Sequence, residues 1–172
     1  MTTQFSETYR AILRWLPAQR RAVVDAALQL GCSQEEAKRI SWRADVRTYE
    51  AGHLITRLRG YGTTINIIVT GEVVVRRPRQ EDAVVGARSV IGELSALREN
   101  WYQVADVECL TSVTALVFTA DRYKSFAKAG GVVAELVEAA RTARVGILED
   151  EREASQLAAW ERWQKLKQYV GR

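Results

Sequence analysis

Ile67-Ile68-Val69-Thr70-Gly71-Glu72-Val73-Val74-Val75 is the stretch on which the fold turns. Two β-branched runs are separated by a Thr-Gly turn, which reads as one short strand leading into another. Outward from it, a period of two extends from about Asp45 to Phe118. Ile65, Ile67 and Val69 alternate with Thr64, Asn66 and Ile68, and similar runs occur at Val84-Val85 and at Val113, Ala115 and Val117. Ala51-Gly52, Gly60-Tyr61-Gly62 and Arg77-Pro78-Arg79 add further turns. Short strands at this spacing predict an antiparallel sandwich or barrel. One piece breaks the pattern: Gly92-Glu93-Leu94-Ser95-Ala96-Leu97-Arg98-Glu99-Asn100 has no alternation and reads as a short helix entered through a glycine.

Helical spacing brackets this β region. Tyr9, Ile12, Leu13 and Leu16 precede a break at Pro17, and a second run passes through Val23, Val24, Ala27, Leu28 and Leu30 before Gly31 stops it. Ser33 and Glu36 form a capping box that starts a third helix through Ala37 and Ile40. After Asp121 the chain is helical again through Tyr123 and Phe126, and beyond Gly130-Gly131 it remains so. There Leu136, Ala140, Ala143, Ile147, Ala154 and Leu157 form a seam interrupted by Glu149-Asp150-Glu151. The fold class is therefore α+β, mainly β: an antiparallel β-roll or jelly roll of about eight strands, with N-terminal helices and a long C-terminal helix. The segments are residues 1–43, 44–130 and 131–172.

At 172 residues, with 47% hydrophobic and 27% charged, the chain can bury a sizeable core in one domain with helical extensions; disorder and collagen-like repeats are excluded. Two cysteines, Cys32 and Cys109, and one histidine, His53, leave no disulfide scaffold and no zinc ligand set, so no metal is expected and a reducing cytoplasm is the expected setting. The cysteines read as packing residues and His53 as a surface residue beside a turn. The N-terminus lacks the pattern of a secretory signal, and no apolar run reaches the roughly 20 residues of a membrane helix. The net charge of +4 is spread along the chain rather than gathered in a nucleic-acid arm. Arg57, Arg59, Arg76, Arg77 and Arg79 read as solvated charge, with a basic patch as the alternative. No nucleophile paired with a histidine base and no P-loop occurs, so no enzyme is expected.

Three motifs, in order, carry a resemblance. They are Tyr49-Glu50-Ala51-Gly52-His53-Leu54-Ile55, the Ile67–Val75 pair with its glycine turn, and Ile91-Gly92-Glu93-Leu94-Ser95-Ala96-Leu97. Over about residues 35–145 the chain resembles the cyclic-nucleotide-binding domains of the catabolite activator protein and the protein kinase A regulatory subunit. The third motif is similar to their phosphate-binding cassette. The resemblance implies a cyclic nucleotide as ligand, backbone amides of Gly92, Leu94 and Ser95 facing the phosphate, and Glu93 accepting from the ribose 2′-hydroxyl. A helix-capping role for Glu93 stands beside that one.

The chain departs from the family at the arginine that follows the cassette glutamate by nine or ten residues. Those positions hold Tyr102 and Gln103. A buried phosphate without its cation loses about 2 to 5 kcal/mol. Three alternatives stay open: Arg98 or Arg88 replaces the cation, Trp101 and Tyr102 shape the pocket for a less charged or aromatic ligand, or side chains fill it. The candidate ligand residues are thus Gly92, Glu93, Leu94, Ser95, Arg98, Tyr102 and Gln103.

At the C-terminus, Trp160, Trp163 and Leu166 share one helical side and are the candidate contacts to a protein partner or a second copy, with packing on the N-terminal helices as the alternative. A stand-alone regulatory module, passing a ligand or partner signal to this helix, is the first functional reading; a ligand-free interaction module is the second. The third is a small DNA-binding regulator using the helix-turn-helix spacing of Ala27–Ile40, against which Glu35 and Glu36 would meet phosphates. Nucleic acid and membrane are not expected partners.

Overall fold

The computed structural model describes residues 16–97 and 102–170, with side chains of the last helix described as far as residue 146 and at 155 and 158–162. Helix α1 (Ala18–Gln29) starts at Pro17, whose carbonyl accepts from the amides of Arg20 and Arg21. A proline needs no donor at a helix start, so the break expected here becomes a beginning. Helix α2 (Gln34–Ile40) is capped by Ser33, whose Oγ accepts from the Glu36 amide at 3.2 Å. The other half of the expected capping box does not form. The Glu36 carboxylate turns inward and accepts from the backbone N–H of Val133 at 3.2 Å.

Eight strands follow: β1 (Asp45–Tyr49), β2 (Leu54–Thr56), β3 (Thr64–Thr70), β4 (Val73–Arg76), β5 (Ala83–Val85), β6 (Val90–Ile91), β7 (Asp106–Cys109) and β8 (Val113–Thr119). Helix α3 (Glu93–Leu97) interrupts them after β6; α4 (Ala120–Ala127) and α5 (Val132–Val170) close the chain. The strands form two antiparallel four-stranded sheets, ordered β1-β8-β3-β6 and β2-β7-β4-β5. This is the expected mainly β roll with flanking helices.

The first sheet is covered on both faces. On one side Ile65, Ile67, Val69 and Phe118 pack with Val24 of α1 and Leu30 just after it, Ile40 of α2, Phe126 of α4, and Val133 and Val137 of α5. On the other, Ile68, Val113, Ala115 and Val117 meet Val73, Val107 and Cys109 of the second sheet. Ile65 to Val69 are therefore buried without interruption. The period of two sorts these residues between two apolar layers rather than between core and water. Asn66, fully buried in the same strand, accepts from the Tyr49 hydroxyl at 3.0 Å, as a buried amide requires.

Helix α5 lies against the roll through Val133, Leu136, Val137 and Ala140. Of the expected seam, Leu136 and Ala140 pack while Ala143 is exposed; the side chains of Ile147, Ala154 and Leu157 are outside the described residues. The residue that continues the packed stripe is Arg144, seven after Val137 and four after Ala140. Among the described residues no helix is long and apolar enough to cross a membrane.

Candidate functional site

Between the two sheets, under α3, lies a cavity of about 30 Å³ lined by Thr56, Val75, Arg77, Ile91, Gly92, Glu93, Leu94, Gln103, Val104, Ala105, Val107 and Arg144. Gly92 makes its local geometry possible. It joins β6 to α3 with φ +86°, and a Cβ there would fall 2.6 Å from the Thr64 carbonyl oxygen. The chain can then turn sharply enough to place Glu93 at the start of α3 and inside the protein.

Glu93 is only 1% exposed. A carboxylate this deep needs a charged or multiply donating partner, because desolvation alone costs several kcal/mol. The partner is Arg144 of α5: its Nη1 lies 2.6 Å from Glu93 Oε1 and also donates to the Val90 carbonyl at 2.7 Å. The arginine side chain is 22% exposed, so it reaches in from the rim while its carboxylate partner is fully enclosed. Both readings of Glu93 made from sequence placed it at the helix start; neither gave it this ion pair.

The other candidates separate into those that line the cavity and those that do not. Gly92, Glu93, Leu94 and Gln103 line it. Ser95 is buried beside them, but its hydroxyl donates back to the Gly92 carbonyl at 3.1 Å. Tyr102 sits at the surface, 47% exposed, with its ring 5.1 Å from that of Tyr61 and the two hydroxyls 3.3 Å apart. The hydroxyl contact with Tyr61, and then burial, raise the Tyr102 phenol above its ordinary value. Tyr102 therefore pairs with a surface tyrosine and is not among the residues that line the cavity. Arg98 and Trp101 lie outside the described residues.

Arg88 does not replace the family's cation either. Held at φ +70°, it donates from Nη1 to the Leu30 carbonyl and so fastens the end of α1 to the roll. Arg77, read from sequence as solvated charge, is instead a cavity residue. Val73 and Val75 of β4 point between the sheets, and Arg77 follows with the same parity. Its neighbour Arg76 takes the opposite face and pairs with Glu108 at 2.6 Å and Asp82 at 3.2 Å. That parity was the available signal for Arg77; the signal for Arg144 was its place on the apolar stripe of α5.

His53 is exposed and stacks on Tyr49 with ring centroids 4.9 Å apart, and both cysteines are buried and free. Burial, then the nearby Glu36 carboxylate, push the Cys32 thiol up to about 12. On α5, Trp160 is 58% exposed. The side chains of Trp163 and Leu166 are outside the described residues.

No family model and no curated protein matches this sequence. Solved structures do match. The regulatory domain of Toxoplasma gondii protein kinase A, crystallised with cAMP, is 19% identical with TM-score 0.56, over 71% of this chain and 49% of that one. The Thermus thermophilus catabolite activator protein is 19% identical with TM-score 0.57, over 74% and 63%. A structure concerned with a cyclic-GMP-dependent signalling pathway of bacterial phytopathogenesis is 18% identical with TM-score 0.56, over 66% and 94%. The present chain thus spans about half the length of the Toxoplasma chain and under two thirds of the Thermus one. The fold is that of the cyclic-nucleotide-binding domain.

Proposed function

We propose that this protein is a regulatory module in which the long helix α5 reads the state of the cassette. The observation that carries the reading is the Glu93–Arg144 ion pair, because it joins the cassette carboxylate to a side chain of the C-terminal helix. The resemblance implies a sugar hydroxyl as the partner of this carboxylate, and here Arg144 already holds it. A cavity of about 30 Å³ has room for a few water molecules at most, whereas small-molecule pockets run from about 300 Å³. On this reading a ligand that engages Glu93 displaces the Arg144 guanidinium, and the energy it gains there is differential binding to the state in which α5 is released. The released helix is the element that a protein partner or a second copy would meet, with Trp160 as one contact and Trp163 and Leu166 proposed beside it.

The test is thermal unfolding of the whole chain with millimolar cyclic AMP, cyclic GMP or linear AMP. A ligand at 100 times its dissociation constant stabilises by about 2.7 kcal/mol, a rise of roughly 5 to 10 °C at this size. The reading requires a rise with a cyclic compound that Glu93→Ala abolishes and Arg144→Ala enlarges relative to its own ligand-free baseline. A rise equal in wild type and Arg144→Ala contradicts it. The small cavity favours one second reading, a ligand-free interaction module in which Arg144 fills the site permanently. No rise in either protein with any of the three nucleotides supports that one.

A further inference from the structure

Three charged residues line the cavity among those described: Arg77, Glu93 and Arg144. Arg144 is committed to Glu93 and to the Val90 carbonyl. Arg77 is not committed to any acid. Its Nη1 makes a long contact of 3.5 Å with Gln80 Oε1, and its Nε is buried without a hydrogen-bond partner among the described residues. A buried guanidinium N–H calls for an acceptor, which a ligand oxygen or a water supplies. Arg76 pairs with two carboxylates on the outer face, while Arg77, the residue after β4, lines the cavity.

We infer that Arg77 is the anion-binding residue of this cavity, in place of the cassette arginine the chain lacks. The inference rests on the reading of the roll as a ligand site. Arg77 belongs to the sheet opposite the one that ends at Gly92 and Glu93, so the two charges approach the cavity from different walls. With Glu93 held by Arg144, Arg77 is the one charge of the lining without an ionic partner among the described residues. When Arg144 leaves Glu93, the same cavity presents a cation on one wall and an acceptor-only carboxylate on the other. The chemistry that fits is a monoanionic group, a phosphodiester or a free oxyanion, on Arg77, with a hydroxyl of the same molecule on Glu93. The unpaired Nε–H and a terminal N–H can meet two oxygens of one such group, the side-on geometry in which arginine binds oxyanions best.

The experiment follows the Arg77 Nε–H signal by nitrogen-15 NMR on the full chain, assigned by its loss in Arg77→Lys. The chain is titrated with cyclic AMP, with adenosine as the neutral counterpart, and with inorganic phosphate. Cyclic AMP and phosphate are expected to move the signal while adenosine leaves it in place. Arg77→Gln is expected to weaken cyclic AMP about 30-fold or more, with no change for adenosine. Cyclic AMP that binds wild type and Arg77→Gln equally, with the signal unmoved, overturns the role of Arg77 and leaves the regulatory reading intact. Phosphate that moves the signal while cyclic AMP binds no more tightly than phosphate supports Arg77 and overturns the nucleotide. A signal that none of the three moves overturns the inference, and because it is read in wild type, that result stands even where Arg77→Gln folds poorly.

Discussion

Two buried glutamates hold the same helix, and they do so in different ways. Glu36 of α2 accepts from the backbone N–H of Val133, in the first turn of α5, where the partial positive charge of the helix end also favours a carboxylate. Glu93 of α3 holds Arg144, a side chain three turns further along, some 16 Å up the helix axis. The first contact is to main chain and persists in any state in which α5 starts where it does. The second is to a long side chain at the rim of a cavity, which can let go while the first turn of the helix stays in place. A helix pinned at its base by Glu36 and fastened further up by Glu93 has one fixed point and one releasable one. Only the releasable one lies at the cassette.

That contrast can be broken by mutation, beginning with the largest expected effect. Arg144→Ala leaves a carboxylate enclosed with its charge partner gone, a loss of about 3 to 5 kcal/mol. In calorimetry this appears as a melting temperature lower by roughly 10 °C. Adding Glu93→Gln to it restores most of the loss, because the stranded charge is removed as well. Glu36→Ala, which takes away both the charge-assisted bond to Val133 and a packed side chain, costs about 2 to 3 kcal/mol. Unlike Arg144→Ala, it leaves nucleotide affinity unchanged in calorimetric titration, since the pin is remote from the cavity.

Gly131→Ala sharpens the same point from the other side. At φ +112° the added Cβ would lie 2.5 Å from Glu36 Oε1, so backbone strain and a clash combine to cost about 2 kcal/mol, measurable by urea unfolding. The remaining effect is alkaline and is absent below pH 9. The Cys32 thiol titrates near 9 when unfolded and at about 12 when folded, so between those values the folded state binds more protons than the unfolded one. Its contribution is complete below pH 9 and is lost as the pH rises toward 12. Melting temperature should therefore decline more steeply above pH 9 in wild type than in Cys32→Ala, and folded Cys32 should resist thiol reagents at pH 8.

The roll was legible because its signals are local. The Thr70-Gly71 turn, the alternation from Asp45 onward and the glycine-entered helix each depend on residues close in sequence, and eight strands with flanking helices follow from them. The glycine-entered helix is legible for the same reason: Gly92 and Glu93 need each other only across one peptide bond. What escaped were the partners. Arg144 reaches Glu93 from 51 positions away, and nothing in its own neighbourhood distinguishes it from a solvated helix arginine except that Val137 and Ala140 share its stripe. Glu36 carried a correct local signature as the fourth residue of a capping box, yet tertiary structure redirected it to Val133, 97 positions on. Arg77 was grouped with Arg76 and Arg79 by composition, although strand parity separates it from Arg76. Tyr102 was assigned by its offset from Glu93, and an isolated pairing with Tyr61 places it at the surface instead.

The central claim, that occupation of the cassette frees α5 from Arg144 onward while its base stays pinned, is tested most directly by amide hydrogen exchange along that helix in the full chain. With saturating cyclic AMP, protection across residues 138–150 should fall toward the level of ligand-free Arg144→Ala, while the amides of residues 133–137 keep theirs. Bound nucleotide with unchanged protection across 138–150 would contradict the account.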